Sequence, residues 1–226
     1  MKKIVTGKTK DVYELDNSNL MLKFKDDVTG KDGVFDPGAN EVGLSIEGSG
    51  HAGLSLTKYF FERFRDMGIA THYIGADLDE NTMEVKKAHT FGAGLECICR
   101  YKAVGSFYRR YSKFTEEGID LDGFVEITVK DDAAGDPPIS KEALVMLGVT
   151  TQEEAETLYS LTRKISDEIK DILAEKGLDL YDIKLEFGKD EDGNIMLIDE
   201  VSGGNMRVYR GNEYIEPLKL PELILG

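Results

Sequence analysis

The segment that most constrains the fold is residues 182–200, DIKLEFGKDEDGNIMLIDE. Asp192-Gly193 is a strong two-residue hairpin signal, and strand-like residues flank it on both sides. A two-residue turn at this point would pair Glu191 with Asn194. The segment therefore predicts an antiparallel β-hairpin whose register places two carboxylates opposite each other.

In this predicted register Glu186 lies directly across from Asp199. Two such charges repel by about 4 kcal/mol at 4 Å and an effective dielectric of 20, and opposed like charges destabilise a sheet. One acid could hold a proton, Lys184 on the same strand face could bridge the pair, or a divalent cation could bind between them. Carboxylate oxygens suit Mg²⁺. A solvated hairpin end without a ligand is the remaining alternative.

The rest of the chain alternates short strands with a few helices. LSLTKYFFERFRDMG (54–68) has helical apolar spacing and ends at a glycine, whereas the glycine-rich residues 30–53 read as an irregular loop. A long helix should begin at a capping box of Thr150 and Glu153 and end at Gly177. Its core-facing stripe is Leu158, Leu161, Ile165, Ile169 and Ile172.

This pattern predicts an α+β fold with two lobes. The expected domains are residues 1–88, a mostly antiparallel β lobe with one helix and a phosphate-binding loop, and residues 89–226, an α+β lobe.

Composition narrows the classes of function. The 226 residues include 41% hydrophobic residues and carry a net charge of −15, which disfavours nucleic-acid binding. No apolar run is long enough for a membrane span, and the first residues lack a signal sequence, so we expect a cytoplasmic protein. Cys97 and Cys99 should be two reduced, buried thiols. Residues 100–113 hold five basic residues and no acidic ones, which suggests either a small anionic ligand or arginines paired with surplus acids.

Two lysine-containing segments indicate phosphate chemistry. TGKTK places Lys8 and Lys10 on either side of Thr9, just after a glycine, and such a turn can lie over a polyphosphate although it is not a Walker A motif. VKDDAAGDP places Lys130 at a strand end, where a lysine can neutralise a transferring phosphoryl group or simply pair with acids.

Six motifs in order along nearly the whole chain resemble the SAICAR synthetase family. They are GKTKDVY, GIATHY, ECICRYKAVGS, VKDDAAGDP, LYDIKLEFG and LIDEVS. The resemblance implies a two-lobed fold akin to kinase and ATP-grasp architectures, with ATP in the cleft between the lobes. It implies a purine-pathway ligase that uses ATP to join the ribonucleotide CAIR to L-aspartate through an acyl phosphate, giving SAICAR, ADP and phosphate.

The resemblance also implies roles for individual residues. Lys8, Thr9 and Lys10 would bind ATP, and Glu186 and Asp199 would hold Mg²⁺. The catalytic residues would be Lys130, Glu96, which arranges the imidazole carboxylate, and Asp182, which lies near the ribose and base. The substrate-binding residues would be Arg100, Ser106, Lys184 and Arg207.

The chain departs from the family pattern on the acceptor side. Gly203 and Gly204 replace the usual Pro-Asp, the 30–55 loop is altered, and the tail stops at Gly226. A divergent amide ligase with another carboxylate and amine therefore stays open, as does a non-catalytic nucleotide-binding paralogue. The resemblance further suggests a homo-oligomer.

Overall fold

The protein, a computed structural model, forms two compact units joined by several chain crossings. The structure describes residues 1–31, 34–35 and 42–226. Unit 1 comprises Met1–His89, Gly188–Asn205 and Glu216–Gly226, and unit 2 comprises Thr90–Phe187 and Met206–Ile215. The domain boundary predicted near residue 88 lies beside the first crossing, but the later returns of the chain to unit 1 were not predicted.

Strands and helices are numbered here in chain order. The strands are β1 (Lys2–Thr6), β2 (Lys10–Glu14), β3 (Leu20–Phe24), β4 (Asp27–Lys31), β5 (Val34–Phe35), β6 (Val42–Ser45), β7 (Tyr73–Asp77), β8 (Thr82–Val85), β9 (His89–Thr90), β10 (Leu95–Lys102), β11 (Asp120–Val129), β12 (Pro138–Ile139), β13 (Asp179–Lys189), β14 (Ile195–Ile198), β15 (Met206–Arg210) and β16 (Glu213–Tyr214). The helices are α1 (Ser49–Asp66), α2 (Gly105–Tyr111), α3 (Lys141–Met146), α4 (Gln152–Glu175) and α5 (Leu220–Leu225), with short 3-10 turns at Asp132–Ala134 and Pro217–Lys219.

Unit 1 is built on an antiparallel sheet with the strand order β1-β2-β3-β8-β7. Helix α1 packs against β3, β7 and α5. The predicted apolar stripe of this helix forms the core, because Phe60, Phe61 and Phe64 are fully buried. Burying each such ring stabilises the fold by roughly 1.5–3 kcal/mol.

Helix α1 begins earlier than predicted, at Ser49 rather than at Leu54. The glycine-rich residues before Leu54 have weak helix propensity, but tertiary contacts fix them: Asp26 Oδ1 accepts a hydrogen bond from Gly50 N–H at 2.9 Å. The predicted irregular loop also contains β6, which pairs with β4. Other parts of that loop, 32–33 and 36–41, lie outside the described residues.

Unit 2 is built on an antiparallel sheet with the strand order β12-β11-β10-β13-β15-β16. Helix α4 packs on β10 and β11, and Leu158, Ile165 and Ile169 of its predicted stripe are fully buried. Antiparallel sheets with helices that do not alternate with the strands confirm the α+β class. Both cysteines are free and buried, as predicted.

The capping box of α4 lies one residue later than predicted. Thr151 Oγ1 accepts a hydrogen bond from Glu154 N–H at 3.1 Å, and Glu154 Oε2 accepts one from Thr151 N–H at 2.8 Å. The prediction of Thr150 and Glu153 was wrong because the doublets Thr-Thr and Glu-Glu satisfy the same spacing twice. Thr150 itself is buried.

The hairpin of β13 and β14 forms, but with a different turn. Asp190 N–H donates to the Asn194 carbonyl at 3.0 Å, and Asp190 Oδ1 accepts from Asp192 N–H and Asn194 N–H at 3.0 and 2.8 Å. This side-chain-stabilised loop outcompetes the two-residue turn. The predicted pairing of Glu191 with Asn194 is therefore wrong, and so is the register derived from it.

Among the described residues, no helix combines the length and the apolar character that crossing a bilayer requires.

Candidate active site

In unit 1, Lys10 is the centre of a charged cluster. Its Nζ lies 3.0 Å from Asp199 Oδ1 and 2.5 Å from Glu200 Oε1, and its side chain is 11% exposed. Burial lowers the pKa of Lys10, but the two carboxylates outweigh that effect, so its pKa is raised above the usual value. Lys10 therefore carries a fixed positive charge at neutral pH.

Lys8 and Thr9 lie in the tight turn between β1 and β2 that leads into Lys10. Gly7 N–H donates to the Lys10 carbonyl at 2.9 Å, and a Cβ on Gly7 would lie 2.5 Å from that oxygen. The Thr9 carbonyl accepts from Lys25 N–H at 2.9 Å. The glycine is thus required for the close approach that sets this turn.

The turn after β14 holds Asp199 and Glu200 in place. Asp199 has φ 65°, and its carbonyl lies 3.1 Å from Nε2 of the buried His72. Ser202 Oγ donates to Glu200 Oε2 at 2.7 Å, and Asn205 Nδ2 donates to the Glu200 carbonyl at 2.7 Å. Sequence reasoning missed Glu200, although its place directly after Asp199 was a usable signal.

Gly203 is packed against the last segment of the chain. A Cβ at this position would lie 2.7 Å from Pro217 Cα and 3.1 Å from Leu220 Cδ1. Glycine at this position therefore allows the close approach of the segment from Pro217 to Leu220.

In unit 2, Glu186 has Glu96 of β10 as its cross-strand neighbour. Glu186 and Glu96 thus form a cross-strand pair of like charges that the sequence analysis did not predict. Lysines relieve the repulsion: Lys130 Nζ lies 2.7 Å from Glu186 Oε1, and Lys184 Nζ lies 2.7 Å from Glu96 Oε1. Thr128 Oγ1 donates to the other Glu96 oxygen at 2.9 Å.

Lys184 is an internal cation of this cluster. Burial lowers the pKa of Lys184, but the charge and hydrogen bond of Glu96, with a further contribution from Glu186, raise it overall. Lys184 was predicted as a possible bridge between two acids, and its observed bond is to Glu96. The four groups thus form a fixed set of alternating charges along one face of the sheet.

A second row of charges crosses three adjacent strands of unit 2. Arg100 on β10 pairs in register with Asp182 on β13, which pairs in register with Arg207 on β15. Asp182 Oδ2 accepts from both guanidinium groups at 2.8 Å. Arg100 NH2 donates to Ser106 Oγ at 2.9 Å. The structure therefore brings together Arg100, Ser106, Asp182 and Arg207.

The row continues to Glu126, which the sequence analysis did not name, and to Arg110 of the basic stretch 100–113. Arg100 Nε donates to Glu126 Oε1 at 2.7 Å, and Arg110 NH2 contacts both Glu126 oxygens at 2.7 and 2.6 Å. Arg110 falls within the basic stretch 100–113, so two of its arginines do pair with acids. The signal for Glu126 was its place on β11, the neighbour of β10.

The proposed metal ligands Glu186 and Asp199 belong to different units, and each pairs with a lysine. In the part of the chain that the structure describes, no group of three or more His, Cys, Asp or Glu side chains is arranged to hold a metal ion. The donor chemistry of the two carboxylates is the oxygen chemistry that Mg²⁺ takes in proteins.

Comparison with known proteins gives one consistent family. The sequence model of SAICAR synthetase matches residues 3–220. A phosphoribosylaminoimidazole-succinocarboxamide synthase of Clostridium tetani is 60% identical over 226 residues, which is 100% of both chains. The synthase of Methanocaldococcus jannaschii is 33% identical and aligns over 91% of this chain and 81% of its own.

Solved structures agree with the sequence matches. A SAICAR synthetase (Type-2) in complex with ADP superposes with a TM-score of 0.82 and 31% identity, covering 96% of this chain and 88% of that one. The synthase from Ehrlichia chaffeensis has a TM-score of 0.84 and 26% identity, covering 100% and 92%. The full-length identity and the shared fold show that the chain belongs to the SAICAR synthetase family.

Proposed function

We propose that the chain is a phosphoribosylaminoimidazole-succinocarboxamide synthase, an ATP-dependent ligase of purine biosynthesis. It transfers a phosphoryl group from ATP to the carboxylate of CAIR, and the amine of L-aspartate then displaces phosphate to give SAICAR. The observation that carries this proposal is the 60% identity to the Clostridium tetani synthase over the whole of both chains.

In the proposed nucleotide site, lysines near the ends of strands bind the ATP phosphates. Lys8, Thr9 and Lys10 would face the ATP phosphates, together with Lys130. The ADP complex of a 31% identical family member supports a nucleotide site. Lys10 suits this role because its raised pKa keeps it charged, and because Asp199 and Glu200 fix the position of its Nζ.

Glu186 and Asp199 would hold Mg²⁺ in this proposal. The ion usually takes one or two carboxylates and completes its shell with substrate phosphates and water, so two carboxylates without further protein ligands fit it. Mg²⁺ bound with ATP supplies charge neutralisation at the phosphates. Lys130 and Lys10, the lysine partners of the two carboxylates, remain beside them as cations.

The ribonucleotide side rests on the row of charges in unit 2. Arg100, Ser106 and Arg207 would bind the ribonucleotide phosphate, and Asp182 orients both arginines through its 2.8 Å bonds. Lys184 and Asp182 would lie near the ribose and base. Glu96, held by Lys184 and Thr128, would help to arrange the imidazole carboxylate.

The chemical contribution of these residues is positioning and neutralisation of charge. ATP and the CAIR carboxylate are both anions and repel each other, so the lysines and arginines must hold them together in the reactive geometry. Removing one such charged group typically costs a factor of about 10²–10³ in rate, by analogy with the loss of an oxyanion-site donor.

The test is an ATP-to-ADP turnover assay with purified protein and a panel of substrates. We expect ADP and SAICAR only when CAIR and L-aspartate are both present. ADP formation with another carboxylate and amine, and none with this pair, would instead identify a divergent amide ligase. ADP binding without turnover on any pair would identify a non-catalytic nucleotide-binding protein.

A further inference from the structure

The row of charges in unit 2 contains an outer pair, Glu126 and Arg110, to which the proposed function gives no role. Arg100 is 2% exposed at its side chain, and a buried cation of this kind needs hydrogen-bonded partners. Its three nitrogens bond to Glu126, Asp182 and Ser106, so each has a protein acceptor.

The two carboxylates of the row are each shared by two arginines. Along the hydrogen-bonded row the order is Arg110, Glu126, Arg100, Asp182 and Arg207. Without Arg110 the full negative charge of Glu126 would act on Arg100, which would weaken the attraction of Arg100 for an anion.

Arg110 is placed to act through Glu126 rather than on a ligand directly. Its NH2 bonds to both Glu126 oxygens, and one of them, Oε1, also accepts from Arg100 Nε at 2.7 Å. Arg110 is 26% exposed and Glu126 is 7% exposed, so the pair lies at the rim of the row.

We propose that Arg110 and Glu126 are a positioning pair for Arg100: Arg110 neutralises Glu126, so that the positive charge of Arg100 stays available to the ribonucleotide phosphate while Glu126 fixes its orientation. This inference rests on the proposed function, which assigns Arg100 to that phosphate. In this proposal Arg110 raises the affinity for the ribonucleotide phosphate through its charge, without contacting the substrate.

The test compares three variants of the full-length protein. In Arg110→Gln the charge of Glu126 is no longer shared with Arg110, and we expect the KM for CAIR to rise about tenfold or more, with the KM for ATP and kcat nearly unchanged, as fits the loss of one unit charge near an anion site. The double variant Arg110→Gln/Glu126→Gln removes both opposite charges together and leaves an amide oxygen to accept from Arg100. We expect it to recover most of the CAIR affinity.

The control is Arg163→Gln on α4. Arg163 also bonds a carboxylate in unit 2, with Nε 2.8 Å from Asp167 Oδ2, but it lies outside the row. We expect it to lower stability without changing the KM for CAIR. If the double variant binds CAIR no better than Arg110→Gln, or if Arg110→Gln leaves the KM for CAIR unchanged, the inference is wrong.

Two further measurements keep the result decisive. Should the double variant fail to fold, Arg110→Lys keeps the charge and must stay near the wild-type KM; a rise equal to that of Arg110→Gln would overturn the charge argument.

Should the wild type neither turn over nor bind CAIR by calorimetry, the proposed function fails. Inorganic phosphate then serves as the probe: weaker binding by Arg110→Gln supports the inference, and no binding to wild type refutes it.

Discussion

Gly105→Ala tests the assignment of Arg207 to the ribonucleotide phosphate while Arg207 and Asp182 themselves stay unmutated. Gly105 has φ +56°, and an added Cβ would lie 2.7 Å from Arg207 NH1 and 2.8 Å from its Cζ. The obstructing group is the end of a flexible side chain, so Gly105→Ala should leave the fold intact and displace the guanidinium from Asp182.

The expected effect of Gly105→Ala has two parts, a loss of stability and a rise in the KM for CAIR. Alanine in the left-handed region costs about 1–2 kcal/mol of stability, which lowers the melting temperature by roughly 2–8 °C in a chain of this size. Displacing Arg207 from the ribonucleotide phosphate removes a charge-assisted hydrogen bond of about 1.5–3 kcal/mol, equivalent to an increase of roughly 10- to 150-fold in the KM for CAIR. The KM for ATP should stay nearly constant.

Gly148→Ala is the matched control, because Gly148 has φ +67° and a Cβ there would meet no atom within 4 Å. Steady-state kinetics for CAIR and ATP and calorimetric melting temperatures are measured for both variants. The control should show the loss of stability alone. An unchanged KM for CAIR in Gly105→Ala, or an equal rise in Gly148→Ala, would refute the placement of Arg207 at the phosphate.

Other perturbations test the remaining parts of the molecule. Glu186→Gln and Asp199→Asn should each abolish Mg²⁺-dependent turnover with little change in melting temperature; full activity in both would remove these carboxylates from the metal assignment. Burial raises the pKa of the Cys97 thiol to about 12, so it stays protonated at pH 8 and a thiol reagent should label it only after unfolding. Rapid labelling of the native protein would contradict this. Gly203→Ala brings a methyl within 2.7 Å of Pro217 Cα, a backbone atom, and should cost roughly 1–3 kcal/mol in urea denaturation, whereas wild-type stability would show that the segment shifts freely.

The sequence was most informative where a pattern was long. Most positions in the stripes of α1 and α4 were predicted correctly because helical periodicity repeats over several turns, although Leu161 is only partly buried. The start of α1 was missed because it depends on Asp26, a contact distant from the glycine-rich run it stabilises. The capping box was predicted one residue too early because Thr150 with Glu153 and Thr151 with Glu154 have the same spacing.

Some of the site residues were likewise predicted from the sequence, and others were missed. The resemblance placed Arg100, Asp182 and Arg207 in one site, and their register across β10, β13 and β15 brings them together. Glu126 was missed because only the order of strands in the sheet brings it close to Arg100. The hairpin register was wrong because the side chain of Asp190, rather than the Asp-Gly dipeptide alone, shapes the loop.

The crossings of the chain between the two units bear on folding during synthesis. Unit 2 ends at Ile215, whereas unit 1 includes Glu216–Gly226. Domains generally fold from the amino terminus as the ribosome releases them. Here the Met1–His89 part of unit 1 lacks its contacts with Glu216–Gly226 until the ribosome has released residues 216–226.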